Sequence, residues 1–205
     1  MTLKESFTAL ASQYSDNHAI IETCWQEIEK NYSHAKRQYH TLQHLENLFL
    51  VLSECRTAIS DWNTLLFTLF YHDAVYNALK SDNEEKSGEL AKQRMQELSV
   101  PQEMIDRCYQ QILATKKHQP ADDDTNYFTD ADLSVLGAQW DVYEKYAANV
   151  RKEYSMYPDL LYKPGRRKVL EHFLKMKRIF KTDYFRSKLE AQARMNLHEE
   201  LKSLS

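Results

Sequence analysis

Apolar side chains recur along most of the chain at spacings of three and four, the period of a helix with one buried face. Residues 7–14 read as a short helix. Asp16 stands where it could cap a second, whose buried stripe is Ile20, Ile21, Cys24, Trp25 and Ile28. A polar loop at 32–38 follows, and the pattern resumes over 39–59 through Leu42, Leu45, Leu48, Phe49 and Leu52. Asp61 then caps a central helix built on the run Leu65-Leu66-Phe67-Thr68-Leu69-Phe70-Tyr71, with His72 and Asp73 in its interior. After a polar break at 77–82, Asn83-Glu84-Glu85 opens a helix that runs to about Leu98. Pro101 starts the next, with Ile105, Cys108, Ile112 and Leu113 as its stripe, and that helix fades over 115–120. Asp122-Asp123-Asp124 reads as a solvated loop. A helix over 128–137 ends on Gly137 and another covers 140–154. An aromatic-rich loop spans 158–164, and the last helices are predicted at 169–180 and 185–204.

Composition supports the all-helical reading. Only three Gly and four Pro punctuate 205 residues, too few for the turns of a many-stranded fold. With no internal repeat, low-complexity tract or Gly/Ser linker, the expectation is an all-α helical bundle forming a single domain over 1–205. A formal net charge of -3 speaks against a general nucleic-acid or membrane-surface binder, while leaving room for a local basic pocket. Cys24, Cys55 and Cys108 form no CxxC pair and suit reduced core thiols. The first residues lack a signal-peptide core, and no apolar run is long enough to span a bilayer. These features together predict a cytoplasmic protein.

One feature breaks the apolar pattern with chemistry. A buried Asp is costly unless it is paired or bound, and a divalent metal would satisfy His72 and Asp73 together. His40 and His44 lie four apart, on one face of the helix predicted over 39–59. Asp132 sits among apolar residues at the start of the helix predicted over 128–137. Two imidazoles and two carboxylates suit Fe, Mn, Co or Zn better than Ca. Each piece alone has a bland explanation: a hydrogen-bonded core histidine, a chance His-Asp pair, a helix cap.

The ordered set Tyr39-His40-x-x-x-His44, His72-Asp73 and Ala131-Asp132-Leu133-Ser134 resembles the HD superfamily of metal-dependent phosphohydrolases, locally the catalytic domains of cyclic-nucleotide phosphodiesterases. Over nearly its whole length the chain is similar to a group of bacterial proteins described as predicted HD-type phosphohydrolases. That likeness includes His72-Asp73-Ala74-Val75-Tyr76, Asp82-Asn83-Glu84, Thr115-x-x-His118, Asp130-Ala131-Asp132-Leu133 and Ala193-Arg194-x-Asn196-Leu197. The resemblance implies an HD-type bundle in which His44, His72, Asp73 and Asp132 hold metal and His40 protonates the leaving group. The chain departs from the phosphodiesterases after Asp73, where Ala74-Val75-Tyr76-Asn77 replaces a further His and a Pro-Gly. A cyclic nucleotide is therefore not the favoured substrate.

Other residues carry competing readings. Glu84 is either a favourable charge in a first helical turn or a carboxylate that orients a metal-bound water. Lys116 and His118 either end a helix as cations or contact substrate phosphate; His118 could also ligate a second metal. Asp130 reads as a cap of its own helix. Arg151, Arg166 and Arg194, taken singly, read as structural pairings, and the tyrosines over 154–162 as packing. The function expected is hydrolysis of a small phosphorylated substrate, a nucleotide or related phosphate ester, by a water activated on one or two divalent ions (Mn, Fe, Co, Zn or Mg). The alternatives are an HD-like di-iron oxygenase and a non-catalytic metal-stabilised nucleotide-binding domain.

Overall fold

The computed structural model describes residues 2–204; Met1 and Ser205, the ends of the expected single domain, lie outside the described residues. The described chain is all-helical. Its helices are α1 (Leu3–Ala11), α2 (His18–Tyr32), α3 (Leu42–Glu54), α4 (Trp62–Tyr71), α5 (Asn83–Glu97), α6 (Gln102–Ala114), α7 (Asp123–Asp132), α8 (Trp140–Glu153), α9 (Asp159–Lys175) and α10 (Asp183–Ser203). Short 3₁₀ turns cover Arg56–Ala58 and Leu133–Gly137. The chain divides into two compact units, Met1–Thr129 and Asp130–Ser205.

The first unit is built around α4. Every residue from Thr64 to Tyr71 is buried, as expected of a helix that is apolar all round. α1, α3, α5 and α6 pack against it. The Phe7 ring meets Phe70 edge-on at 5.1 Å, and Trp25 of α2 lies 6.1 Å from Phe7. Asp61 caps α4 as expected, its carboxylate accepting from Thr64 N at 3.1 Å. Two other helix starts differ from the sequence reading. Thr2 and Glu5 form a reciprocal capping box, so α1 starts at Leu3. Asn17 rather than Asp16 caps α2, accepting from the backbone N–H groups of Ala19 and Ile20.

The acidic stretch at 122–124 is only partly a solvated loop: Asp122 and Asp123 are exposed, but Asp123 and Asp124 belong to α7 and Asp124 is buried. Asp122 accepts from Thr125 N and Thr125 Oγ1 at the entry to α7. Asp124 is 4% exposed and accepts from Ser60 N and Asp61 N, both at 2.8 Å. A buried carboxylate is tolerated there because two donors that would otherwise be orphaned before α4 satisfy it.

The second unit begins inside α7, at Asp130. The turn Leu133–Gly137 packs on α10 so closely that a Cβ on Gly137 would lie 2.6 Å from Leu189 Cβ. Asn196 of α10 donates to the carbonyls of Leu136 and Ala138, each at 2.8 Å. Arg194 binds Glu190 and the carbonyls of Leu174 and Met176. The Ala193-Arg194-x-Asn196-Leu197 motif is thus a clamp inside this unit.

Asp130 does not cap its own helix. It accepts from Lys181 N at 2.9 Å, Thr182 N at 2.7 Å and Thr182 Oγ1 at 2.8 Å, and so holds the chain entering α10. Glu190 accepts from Ile179 N and Phe180 N in the same way. Those captured N–H groups explain why α9 ends at Lys175 rather than near residue 180. α9 also starts at Asp159, so the stretch predicted as a loop is helical, with Pro164 inside the helix.

Candidate metal centre

The central His-Asp pair lies at the end of α4, not within it: His72 is the C-cap and Asp73 follows. The position matters chemically. Carbonyls in the last turn of a helix lack intrahelical donors, and Leu69 O lies 3.0 Å from His72 Nδ1. A proton on Nδ1 satisfies that carbonyl and turns Nε2 toward the centre. His72 Nε2 is 3.2 Å from His44 Nε2 and 3.3 Å from Asp73 Oδ2. His72 is 1% exposed and His44 5% exposed, and the Phe128 ring stands edge-on to His72 at 5.4 Å.

α3 starts at Leu42 after an extended Thr41, with φ -113° and ψ 178°. His40 therefore precedes the helix instead of sharing its face with His44. The imidazole still reaches the same neighbourhood. Its Nε2 is 3.8 Å from Asp73 Oδ2, the side chain is 21% exposed, and its ring lies 4.3 Å from the Tyr76 ring. Burial pushes the Asp73 carboxyl up, but His72 and His40 beside it, with the hydrogen bond to His72, hold it well below the usual carboxylate range.

Asp132 is the last residue of α7, not the first of a later helix. His44, His72 and Asp132 each offer one ligand atom, and these atoms lie within 4.8 Å of one another. This group could hold a metal ion. The donor set fits one. Two nitrogens at about 2.0–2.1 Å from one ion, subtending roughly 90–110°, are about 2.8–3.4 Å apart, which brackets the His44–His72 separation. Asp73 is not in this group, but its Oδ2 lies 3.3 Å from His72 Nε2 and 3.8 Å from His40 Nε2.

Several residues around these groups have no signal in the sequence. Arg37, read as part of a polar loop, is 7% exposed. Its Nη1 donates to Asp73 O at 2.7 Å and His40 O at 3.2 Å, and its Nη2 donates to Ala74 O at 2.9 Å. The Tyr32 hydroxyl accepts from Asp73 N at 3.1 Å. In the second unit, Lys181 pairs with Asp130 at 3.3 Å and feels the charge of Asp132. Burial lowers its pKa, and the two carboxylates oppose that shift.

Glu84, Lys116 and His118 lie outside the ligand group. Glu84 is in the first turn of α5, and Lys116 follows the end of α6. Lys116 Nζ donates to Ser81 O and Glu85 Oε1, each at 2.5 Å, and stands 3.7 Å from Glu84. His118 takes up left-handed backbone at φ 49°, and its N–H closes the end of α6 on Ala114 O at 3.0 Å.

No family model matches the chain, and neither a curated protein nor a solved structure gives a match.

Proposed function

We propose that the chain is a metal-dependent phosphohydrolase of the HD type that cleaves a small phosphate ester, a nucleotide or related mono- or diester. The observation that carries this reading is the pair of buried imidazoles, His44 and His72, with Nε2 atoms 3.2 Å apart in one group with an Asp132 carboxylate. A divalent ion held by those residues would supply Lewis acidity and a lowered pKa for a bound water.

The protein groups supply the rest. Leu69 O orients the His72 ring through Nδ1, which leaves the Nε2 lone pair to the ion. Asp73 keeps its negative charge near neutral pH and lies 3.8 Å from His40 Nε2, where it favours the imidazolium form. His40 Nε2 then holds a proton to give to the leaving oxygen, with the Tyr76 ring packed on the imidazole. Phe128 shields the His72 edge from water. Lys116 gives substrate phosphate an ammonium by exchanging its contacts with Ser81 and Glu85, while Glu84 keeps that ammonium nearby.

The test is a panel of phosphomonoesters and phosphodiesters, run on metal-depleted protein reloaded in turn with Mn, Fe, Co, Zn or Mg. Metal-dependent turnover is expected, and His72→Ala should lose bound metal and turnover together. Nucleotide binding without turnover under every ion would point to the binding-domain alternative. Oxygen consumption by protein carrying two irons would point to the oxygenase. His40→Ala should keep its metal and lose roughly 10²–10⁴-fold in turnover. That loss should shrink on aryl phosphates, whose leaving groups need little protonation; equal loss on aryl and alkyl esters would remove His40 from the acid role.

A further inference from the structure

The second unit holds a cavity that the metal chemistry does not use. α8, the turn after it and α9 line a half-open cavity of about 420 Å³, within the range of small-molecule pockets. Three tyrosines form much of its wall. The Tyr154 ring is 6.2 Å from that of Tyr157 and 5.9 Å from that of Tyr162. The wall is braced from behind. Arg151 donates to the carbonyls of Tyr154 and Tyr157, and its guanidinium lies 4.5 Å from the Tyr162 ring centre.

Arg166 also lines this cavity, with a side chain only 7% exposed. Its Nε and Nη2 bind the Glu200 carboxylate at 2.7 and 2.8 Å, and the Tyr143 hydroxyl donates to the same carboxylate. Glu200 is thereby satisfied. Nη1 has no hydrogen-bond or ion-pair partner among the described residues, although it is not a sealed, buried atom. An almost fully buried cation thus has one unspent donor edge, and the cavity is the space its residue lines.

Gly165 offers a position from which the cavity can be filled. It lies inside α9, beside Pro164, where residues of better helix propensity would be expected. No neighbour demands its small size: a Cβ there would meet nothing within 4 Å. Gly165 is exposed and lines the cavity, so a larger side chain there has room to occupy the cavity mouth.

We propose that this cavity binds a planar aromatic carboxylate, its ring against the tyrosine wall and Leu161, and its carboxylate on Arg166 Nη1. A carboxylate suits a single guanidinium edge, whereas a phosphate dianion calls for more donors than the cavity supplies. The site is independent of the metal-centre reading.

The experiment is calorimetric titration of the whole chain with indole-3-acetate and its neutral isostere indole-3-acetamide. Saturable binding of the acid is expected, with the amide at least about tenfold weaker. Arg166→Met would strand Glu200 without its partner and is expected to unfold the unit, so Gly165→Leu carries the test. That variant should melt no lower than the parent and bind the acid at least about tenfold more weakly. His72→Ala should bind it as the parent does, which separates this site from the metal centre. The proposal is overturned by any of three results: no saturable binding of the acid up to about 5 mM, unchanged affinity in Gly165→Leu, or equal affinity for acid and amide. A dimer that Leu161→Asp disrupts would also overturn it, since the exposed Leu160, Leu161 and Val169 would then be covered by a second copy.

Discussion

Arg37 shows how much one side chain can organise. Its guanidinium spends its donors on the backbone of His40, Asp73 and Ala74, between the rings of Tyr32 and Tyr76 at 4.8 and 5.4 Å. It thereby ties the stretch before α3 to the stretch after α4, the two places that present His40 and Asp73. Arg37→Met leaves those carbonyls without their donor and should cost about 2–4 kcal/mol, from a charged hydrogen-bond set lost in a largely buried site. Arg37→Lys should restore little, because a single ammonium cannot copy a planar fork with several directed N–H groups. Urea midpoints of the two variants check this. A loss below about 0.5 kcal/mol would mean water substitutes for the guanidinium.

At the scale of elements, glycines in the second unit make opposite predictions from the same chemistry. Gly137 sits where the 3₁₀ turn meets α10, and its Cβ would lie 2.8 Å from the Leu189 carbonyl oxygen and 3.0 Å from Leu189 Cα. Backbone has to move, so Gly137→Ala should cost about 1–3 kcal/mol. Gly165 has open space beside it in the middle of α9, so Gly165→Ala should gain up to about 1 kcal/mol. Thermal melts of the two variants should shift in opposite directions. In the first unit, Asp124→Ala removes the acceptor for Ser60 N and Asp61 N ahead of α4. Its expected cost is about 1–3 kcal/mol, and a far-UV signal that melts at the parent temperature would show that water can serve those donors.

Over the molecule as a whole, the buried thiols set an alkaline limit. Burial pushes Cys24 up to about 11 and Cys108 up to about 12, against an ordinary value of 9.0. Below pH 9 the thiols are protonated in both the folded and the unfolded chain, and their contribution is fully present. Above it the unfolded thiols ionise first, so the unfolded state holds fewer protons than the folded one and stability falls with rising pH. The slope is about 1.4 kcal/mol per pH unit per thiol until the folded values are reached. Burial raises Tyr71 too, which adds to the loss in the same direction at higher pH. Urea melts at about pH 7.5 and about pH 10.5 measure the change, and Cys108→Ala should make it shallower. The same burial should leave the native thiols inert to iodoacetamide near neutral pH. No helix among the described residues is long and apolar enough to cross a membrane.

The amino-acid sequence by itself determined the helical class and which faces are buried. Those properties are local: apolar spacing fixes the side of a helix that leaves water, and the scarcity of Gly and Pro leaves few other choices. The donors His44, His72 and Asp132 were legible for the same reason, as polar breaks in apolar stretches. Tertiary structure decided where helices stop and what buried charges do. His72 ends α4 instead of sitting inside it, and Asp124 and Asp130 hold distant backbone N–H groups instead of solvent or their own helix. Their partners lie far along the chain: 36 residues separate Arg37 from Asp73, 63 separate Asp124 from Asp61, and 52 separate Asp130 from Thr182. A carboxylate or guanidinium reads alike in any local window, because its pairing depends on which orphaned backbone groups the packed helices bring within about 3 Å of it.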